Sequence, residues 1–258
     1  MHNLKRKLFP CIYKNDPPPA RPVLPPEPTP LPVDVIDERP SDERDLVKDY
    51  VRDTINDGDF REPDWTYLAD NSKLEIPEKY RSHMEWYLKR YLAVRDQIAR
   101  GAVVGRAPAW FIIGIMFRES SFSTKGHFAN GDEIIGTNRK TYRVPKGLGP
   151  AATWEESVRQ ALDWERSKKP RFNYLVTPEM NLAEGLEAWE MYNGLGYRKR
   201  EKYSDYVLAF TTYGSKRGRF VRDGVYDAWA EVTRGGALSM VLYLLERGFI
   251  KEEELWRI

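Results

Sequence analysis

The sequence predicts a mainly α-helical domain with a small β-flap, preceded by a proline-rich tether. Three observations carry that prediction. First, residues 107–122 read A-P-A-W-F-I-I-G-I-M-F-R-E-S-S-F, a nearly unbroken apolar run, and a helix apolar all round is a buried helix. Second, Tyr80, Met84, Tyr87, Leu88, Tyr91, Leu92 and Ile98 recur at helical spacing. Third, the sequence changes character after Glu119. Residues 123–142 contain Asn130-Gly131, a tight-turn signal, and a second turn at Thr137-Asn138-Arg139. A short β-hairpin or irregular β-flap is expected there, lying over the end of the buried helix.

Taken in order, residues 16–40 are dense in proline and cannot pack a core, so 1–40 is expected to be an extended tether. A PxxP ligand is the sharper alternative. Residues 41–258 form the domain, with 41–105 as a helical scaffold and 106–258 as its core. Ser41 is placed to cap a first helix that stops at Asn56-Asp57-Gly58. That cluster fails as a calcium loop, because Ile55 occupies a ligand position and the terminal Glu is missing. A second helix is expected over 78–100, ended by Gly101. Pro108 suits the start of the buried helix. Thr153 with Glu156 forms a capping-box pattern. Val158, Ala161, Leu162 and Trp164 then supply an inner face. Pro178 is expected to start a helix carrying Leu182, Leu186 and Trp189 and ending at Tyr192-Asn193-Gly194. Residues 214–218 read as a basic turn that lacks the P-loop pattern. Asp223-Gly224 is a second turn, with Asp227 placed to cap a short helix. Gly235-Gly236 precedes a last apolar helix ended by Gly248, and Leu255 and Trp256 are expected to dock the tail.

Composition narrows the function classes. The chain has 258 residues, 41% hydrophobic and 31% charged, enough for one large core. Net charge is +2, from 41 basic and 39 acidic residues, without the basic excess that nucleic-acid binding usually leaves. A single cysteine, Cys11, excludes an intrachain disulfide and a cysteine-built metal site. Neither a signal peptide nor a membrane span is expected, and a monomer without metal or cofactor is the simplest assembly.

The candidate chemistry sits at the end of the buried run. Burial and the negative end of the helix dipole should both raise the pKa of Glu119. A glutamate kept protonated near neutrality suits general-acid work. The plain alternative is that Glu119 pairs with Arg118 or another cation. Asp132 lies thirteen positions on, and Thr137 five further. An acid on a helix facing a carboxylate on a hairpin is the arrangement that cleaves glycosidic bonds. Asp beside Asn-Gly is equally ordinary turn chemistry. His127, Asn130 and Tyr197 are candidate substrate contacts, and the resemblance described next adds Ser120, Tyr192 and Asn193.

The order R-E-S-S-F, G-H-F-A-N-G-D, V-P-K-G, A-T-W-E-E-S and M-Y-N-G-L-G-Y-R-K-R resembles the lysozyme-like peptidoglycan hydrolases of bacteria and phages. Glu119-Ser120 resembles the Glu-Ser of goose-type lysozymes and lytic transglycosylases. Tyr192-Asn193 resembles the motif that lines their saccharide cleft. Glu119, Asp132 and Thr137 look like the Glu/Asp/Thr triad of phage-type lysozymes with a longer first gap. The resemblance covers residues 107–258. It implies a lysozyme-like α+β fold, a peptidoglycan partner and cleavage of the bond between N-acetylmuramic acid and N-acetylglucosamine. Lys146-Gly147-Leu148-Gly149 replaces the glycine-glutamine motif of the transglycosylases, and either Asp132 or Glu133 fits the second carboxylate. For a phage-encoded chain the resemblance implies a host-cytoplasmic or virion-associated protein that acts on the cell wall.

Overall fold

A 12-residue helix with eight buried residues in succession, Trp110–Phe117, is the axis of the molecule. The computed structural model describes residues 63–194, 197, 203–222 and 225–256. The expected tether, the helix proposed to follow Ser41, Arg198–Arg200 and the Asp223-Gly224 turn lie outside the described residues. In chain order the elements are α1 (Trp65–Asn71), a 3-10 turn (Glu78–Tyr80), α2 (Arg81–Gly105), α3 (Ala109–Ser120), α4 (Trp154–Lys168), α5 (Pro170–Leu175), α6 (Leu182–Asn193), α7 (Asp205–Leu208), β1 (Arg217–Arg222), β2 (Val225–Glu231), α8 (Ala237–Glu246) and α9 (Glu252–Leu255). The described chain is thus mainly helical with one two-stranded antiparallel sheet.

Helix α2 follows from its periodicity. Met84, Leu88, Tyr91, Val94, Ile98, Gly101, Ala102 and Gly105 are buried along one face. The helix runs through Gly101 rather than stopping there. A Cβ at Gly101 would meet the Trp154 ring at 2.6 Å, and one at Gly105 would meet Val158 and Leu162 at 2.9 Å. These glycines let α4 lie tightly on α2, so their signal is close packing and not termination. The stop is Arg106 in the left-handed region, φ 51°, with Ala107 N–H on Ala102 O. Arg166 of α4 donates to the carbonyls of Gly105, Arg106 and Val176, satisfying the helix end. Pro108 then serves as the N-cap of α3.

Helices α3 and α6 are locked by a reciprocal exchange. A Cβ at Gly114 of α3 would sit 2.4 Å from the Trp189 ring, and one at Gly185 of α6 would sit 2.3 Å from the Trp110 ring. Each helix therefore offers a glycine-floored hollow to the other's tryptophan. Trp189 stacks on Phe111 at 5.7 Å and meets Trp110 edge-on at 5.6 Å. Its Nε1 donates to Phe111 O, and Trp110 Nε1 donates to Glu254 O, which ties α9 to the core. Leu255 is fully buried there, whereas Trp256, also expected to dock, stays exposed.

Several local expectations differ from the fold. Residues 123–142 contain no strand. The β-hairpin lies instead at β1–β2, where Arg217 pairs with Glu231 and Arg219 with Asp227. Asp227 sits inside β2, and its carboxylate accepts from Trp229 and Ala230 N–H rather than capping a helix. Two register shifts and Gly218 break the alternation that would have marked these strands. Helix α6 starts at Leu182, with Asn181 and Glu184 forming a capping box. Pro178 precedes it in a turn. Among the described residues no single helix is long and apolar enough to cross a membrane.

Replacing Gly114 with alanine is expected to lower unfolding free energy by about 3 kcal/mol in a urea titration, because Trp189 is fixed on both sides and cannot retreat. Val103→Ala, at an exposed site, is expected to stay within about 0.5 kcal/mol.

Candidate functional site

The C-terminal end of α3 presents Arg118, Glu119 and Ser120. Ser121 and Phe122 follow with φ 51° and 62°, both left-handed without being glycine. Such strain persists only where the surroundings enforce it. Here the Phe122 ring is fully buried against Tyr91 and Phe117. Arg90 donates to Ser121 O, and Arg234 to Ser121 Oγ. Three arginines, Arg90, Arg118 and Arg234, thus gather at the negative end of the helix dipole.

The loop after α3 is pressed onto this end. Gly131 has φ 71°, and a Cβ there would lie 2.7 Å from Glu119 O. Only glycine fits both constraints. His127 N–H donates to Asp132 O, and Asn130 Oδ1 accepts from Asp132 N–H. The Asp132 carboxylate is fully buried. Its Oδ2 accepts from Tyr142 and Arg143 N–H at 2.8 and 3.0 Å, and its Oδ1 lies 2.8 Å from Arg143 Nε. Asp132 therefore staples a loop of irregular backbone whose N–H groups have no strand to pair with.

The Glu119 side chain is half-buried. Burial raises its pKa above 4.5, against the opposing pull of Tyr206, Arg118, Arg234 and Arg143. None of these arginines forms an ion pair with it. Arg118 Nη1 donates to Gly235 O at 2.7 Å, and its guanidinium lies over the Tyr206 ring. Arg234 lies over Tyr87 and Phe117. Arg143 is held by Asp132. The Tyr206 hydroxyl is buried beside the carboxyl and makes no well-directed hydrogen bond among the described residues. The hydroxyl of Tyr192 rests near the carbonyls of Phe128 and Ala129 at 3.5 and 3.4 Å. Its pKa is pushed well up by burial and then by the Glu119 charge. The arrangement is a carboxyl whose pKa burial raises, beside the buried Tyr206 and the half-buried Tyr192, with no arginine paired to it.

The remaining sequence-derived candidates divide clearly. Ser120 Oγ donates back to Met116 O within the helix. His127 is fully buried, and burial lowers its pKa. Its Nδ1 accepts from Ala129 N–H, which leaves the proton on Nε2 facing Gln160 Oε1. It is a neutral loop strut. Asn130 is buried in the same loop, with Nδ2 on Arg143 O. Thr137 is exposed, and its hydroxyl donates to Ile134 O at 2.6 Å within a turn. Glu133 is exposed. Tyr197 is buried against Phe220 of β1, with its hydroxyl on Asp205 and its pKa pushed up to about 12 by burial. Asn193 is exposed at the end of α6. The fold thus brings Glu119 and Tyr192 together and commits Asp132, Asn130, His127 and Thr137 to loop geometry. Sequence reasoning missed Tyr206, Arg143 and Arg234 as members of the site. Tyr206 and Arg234 are distant from Glu119 in the chain and follow no spacing rule. Among the described residues no group of three or more His, Cys, Asp or Glu side chains is arranged for a metal ion.

Comparisons with protein-family models, with curated proteins and with solved structures find no match for this chain.

Two outcomes follow from this geometry. Glu119→Gln is expected to be more stable than the parent at neutral pH. The folded carboxyl binds its proton more tightly than the unfolded one, so parent stability falls as pH rises from 4.5 through the raised pKa. The gain should vanish below pH 4.5 in paired unfolding curves. Asp132→Ala is expected to cost about 3 kcal/mol in the same assay, since it strands two backbone N–H groups and Arg143.

Proposed function

We propose that this chain is a peptidoglycan-degrading glycosidase that cleaves the β-1,4 bond between N-acetylmuramic acid and N-acetylglucosamine. The observation that supports it is Glu119, a carboxyl at the end of a buried helix whose pKa burial raises and with which none of the nearby arginines forms an ion pair. In this reading Glu119 donates that proton to the glycosidic oxygen as the bond to the anomeric carbon breaks. Tyr192 and the exposed Asn193 are the saccharide contacts at the end of α6. The lysozyme-like resemblance of residues 107–258 agrees with this assignment. The scheme requires no metal or cofactor.

One observation favours lytic transglycosylation over hydrolysis. Two-carboxylate hydrolysis needs a second group free to act as nucleophile or to activate water. Asp132 is the sequence-derived candidate, but it is fully buried, its Oδ2 accepts from Tyr142 and Arg143 N–H, and its charge is paired with the Arg143 side chain. Glu119 alone can serve as acid and then as base. It gives its proton to the leaving oxygen and recovers one from a hydroxyl of the muramic acid residue. That hydroxyl closes onto the anomeric carbon to form an anhydro sugar.

Digestion of purified peptidoglycan with mass spectrometry of the fragments tests both readings. Anhydro ends are expected in place of reducing ends, and Glu119→Gln is expected to lose about 10²–10⁴-fold in rate. A Glu119→Gln protein with full lytic activity contradicts the assignment. Wall binding without any soluble fragments marks a structural wall-binding protein instead.

A further inference from the structure

Arg118 and Arg234 hold charge and hydrogen-bonding capacity that the fold does not use. Among the described residues Arg118 makes one side-chain hydrogen bond, from Nη1 to Gly235 O, and Arg234 makes one, from Nη2 to Ser121 Oγ. The Nε–H of each is buried with no acceptor among the described residues. Neither residue forms an ion pair among the described residues. The contrast with other arginines is direct: Arg166 donates to three carbonyls, Arg143 is paired with Asp132, and Arg171 with Glu187. The two arginines are neighbours in space, since Arg118 donates to the carbonyl of Gly235, the residue after Arg234, and burial first and then the Arg234 charge disfavour the charged form of Arg118.

Aromatic faces cover part of each cation. Arg118 lies 5.0 Å from the Tyr206 centroid, and Arg234 lies 5.3 and 5.0 Å from those of Tyr87 and Phe117. A ring face attracts the charge but offers no lone pair to an Nε–H. Two like charges in a half-buried site are unfavourable until an anion joins them. Planar guanidinium forks are matched geometrically by a carboxylate, which accepts through two oxygens.

We propose that Arg118 and Arg234 form a subsite for a substrate carboxylate beside Glu119, so that the protein selects glycans carrying a carboxylate next to the scissile link over neutral glycans. The naming of a glycan rests on the glycosidase reading above; the anion subsite rests on the two arginines alone. Both are positioning residues, since they hold the substrate and leave the proton transfer to Glu119.

N-acetylmuramic acid and N-acetylglucosamine differ by one lactyl carboxylate, and their affinities for the full chain provide the test. The acidic sugar is expected to bind about tenfold more tightly, with an advantage that shrinks as salt rises. Arg234→Gln is expected to erase the difference, and Arg234→Lys to keep part of it. Acetate is expected to displace N-acetylmuramic acid from the parent protein, a measurement that needs no variant to fold. Equal affinity for the two sugars, no displacement by acetate, or an advantage unchanged in Arg234→Gln overturns the subsite. A chain that binds N-acetylmuramic acid through Arg234 yet digests no wall keeps the subsite and loses the glycosidase. A chain that digests wall but treats the two sugars alike loses the subsite alone.

Discussion

The contact between α3 and α6 governs the rest of the structure. Trp189 presses on Gly114 and Trp110 presses on Gly185, so the two helices touch through ring against backbone. A Cβ at either glycine would lie 2.3–2.4 Å from the facing ring, so any larger residue forces the helices or the ring to shift. The contact also sets the site. Tyr192 lies one turn beyond Trp189 on α6, and Glu119 lies five residues beyond Gly114 on α3. The distance between phenol and carboxyl is therefore fixed by tryptophans that touch neither group. Rigid helices hold side chains more accurately than loops do, which suits a site whose chemistry depends on placement.

Electrostatics at the end of α3 has a division of labour. Arginines gather where the helix dipole and the left-handed Ser121 and Phe122 leave carbonyls to satisfy. Each is turned onto a carbonyl, a hydroxyl, a ring or Asp132. Their charges still reach Glu119 and pull its pKa down, but burial outweighs them. Had one of them swung onto the carboxyl, the result would be a plain helix-end ion pair. Asp132 keeps Arg143 away, Gly235 O keeps Arg118 away, and Ser121 Oγ holds Arg234. The loop carboxylate expected to act on substrate instead holds Arg143 off Glu119.

Much of the helical frame was legible because helix signals are local. Periodicity marked α2, apolar saturation marked α3, and the caps at Thr153 and Gly248 marked α4 and the end of α8. What failed was non-local. Gly101 looked like a stop, since the sequence does not show that Trp154 packs on it from α4. The Asn130-Gly131 turn suggested a hairpin, yet its positive φ serves the approach of the loop to Glu119 O. The real hairpin was hidden by bulges that interrupt alternation. Glu119 was conspicuous in the sequence because a carboxyl ending an apolar run is a local anomaly. Arg234 and Tyr206 were not, because they meet it only after α6, α7 and the hairpin have folded back.

The central claim is that desolvation, and not a bound cation, decides the protonation of Glu119. A carbon-13 titration of the labelled Glu119 carboxyl tests it most directly. The account predicts a midpoint above 4.5 in the parent protein, rising further when Arg234 or Arg118 is neutralised. A midpoint at or below 4.5, returning to 4.5 when either arginine is removed, would mean that the carboxyl is an ion-pair partner and the account is wrong.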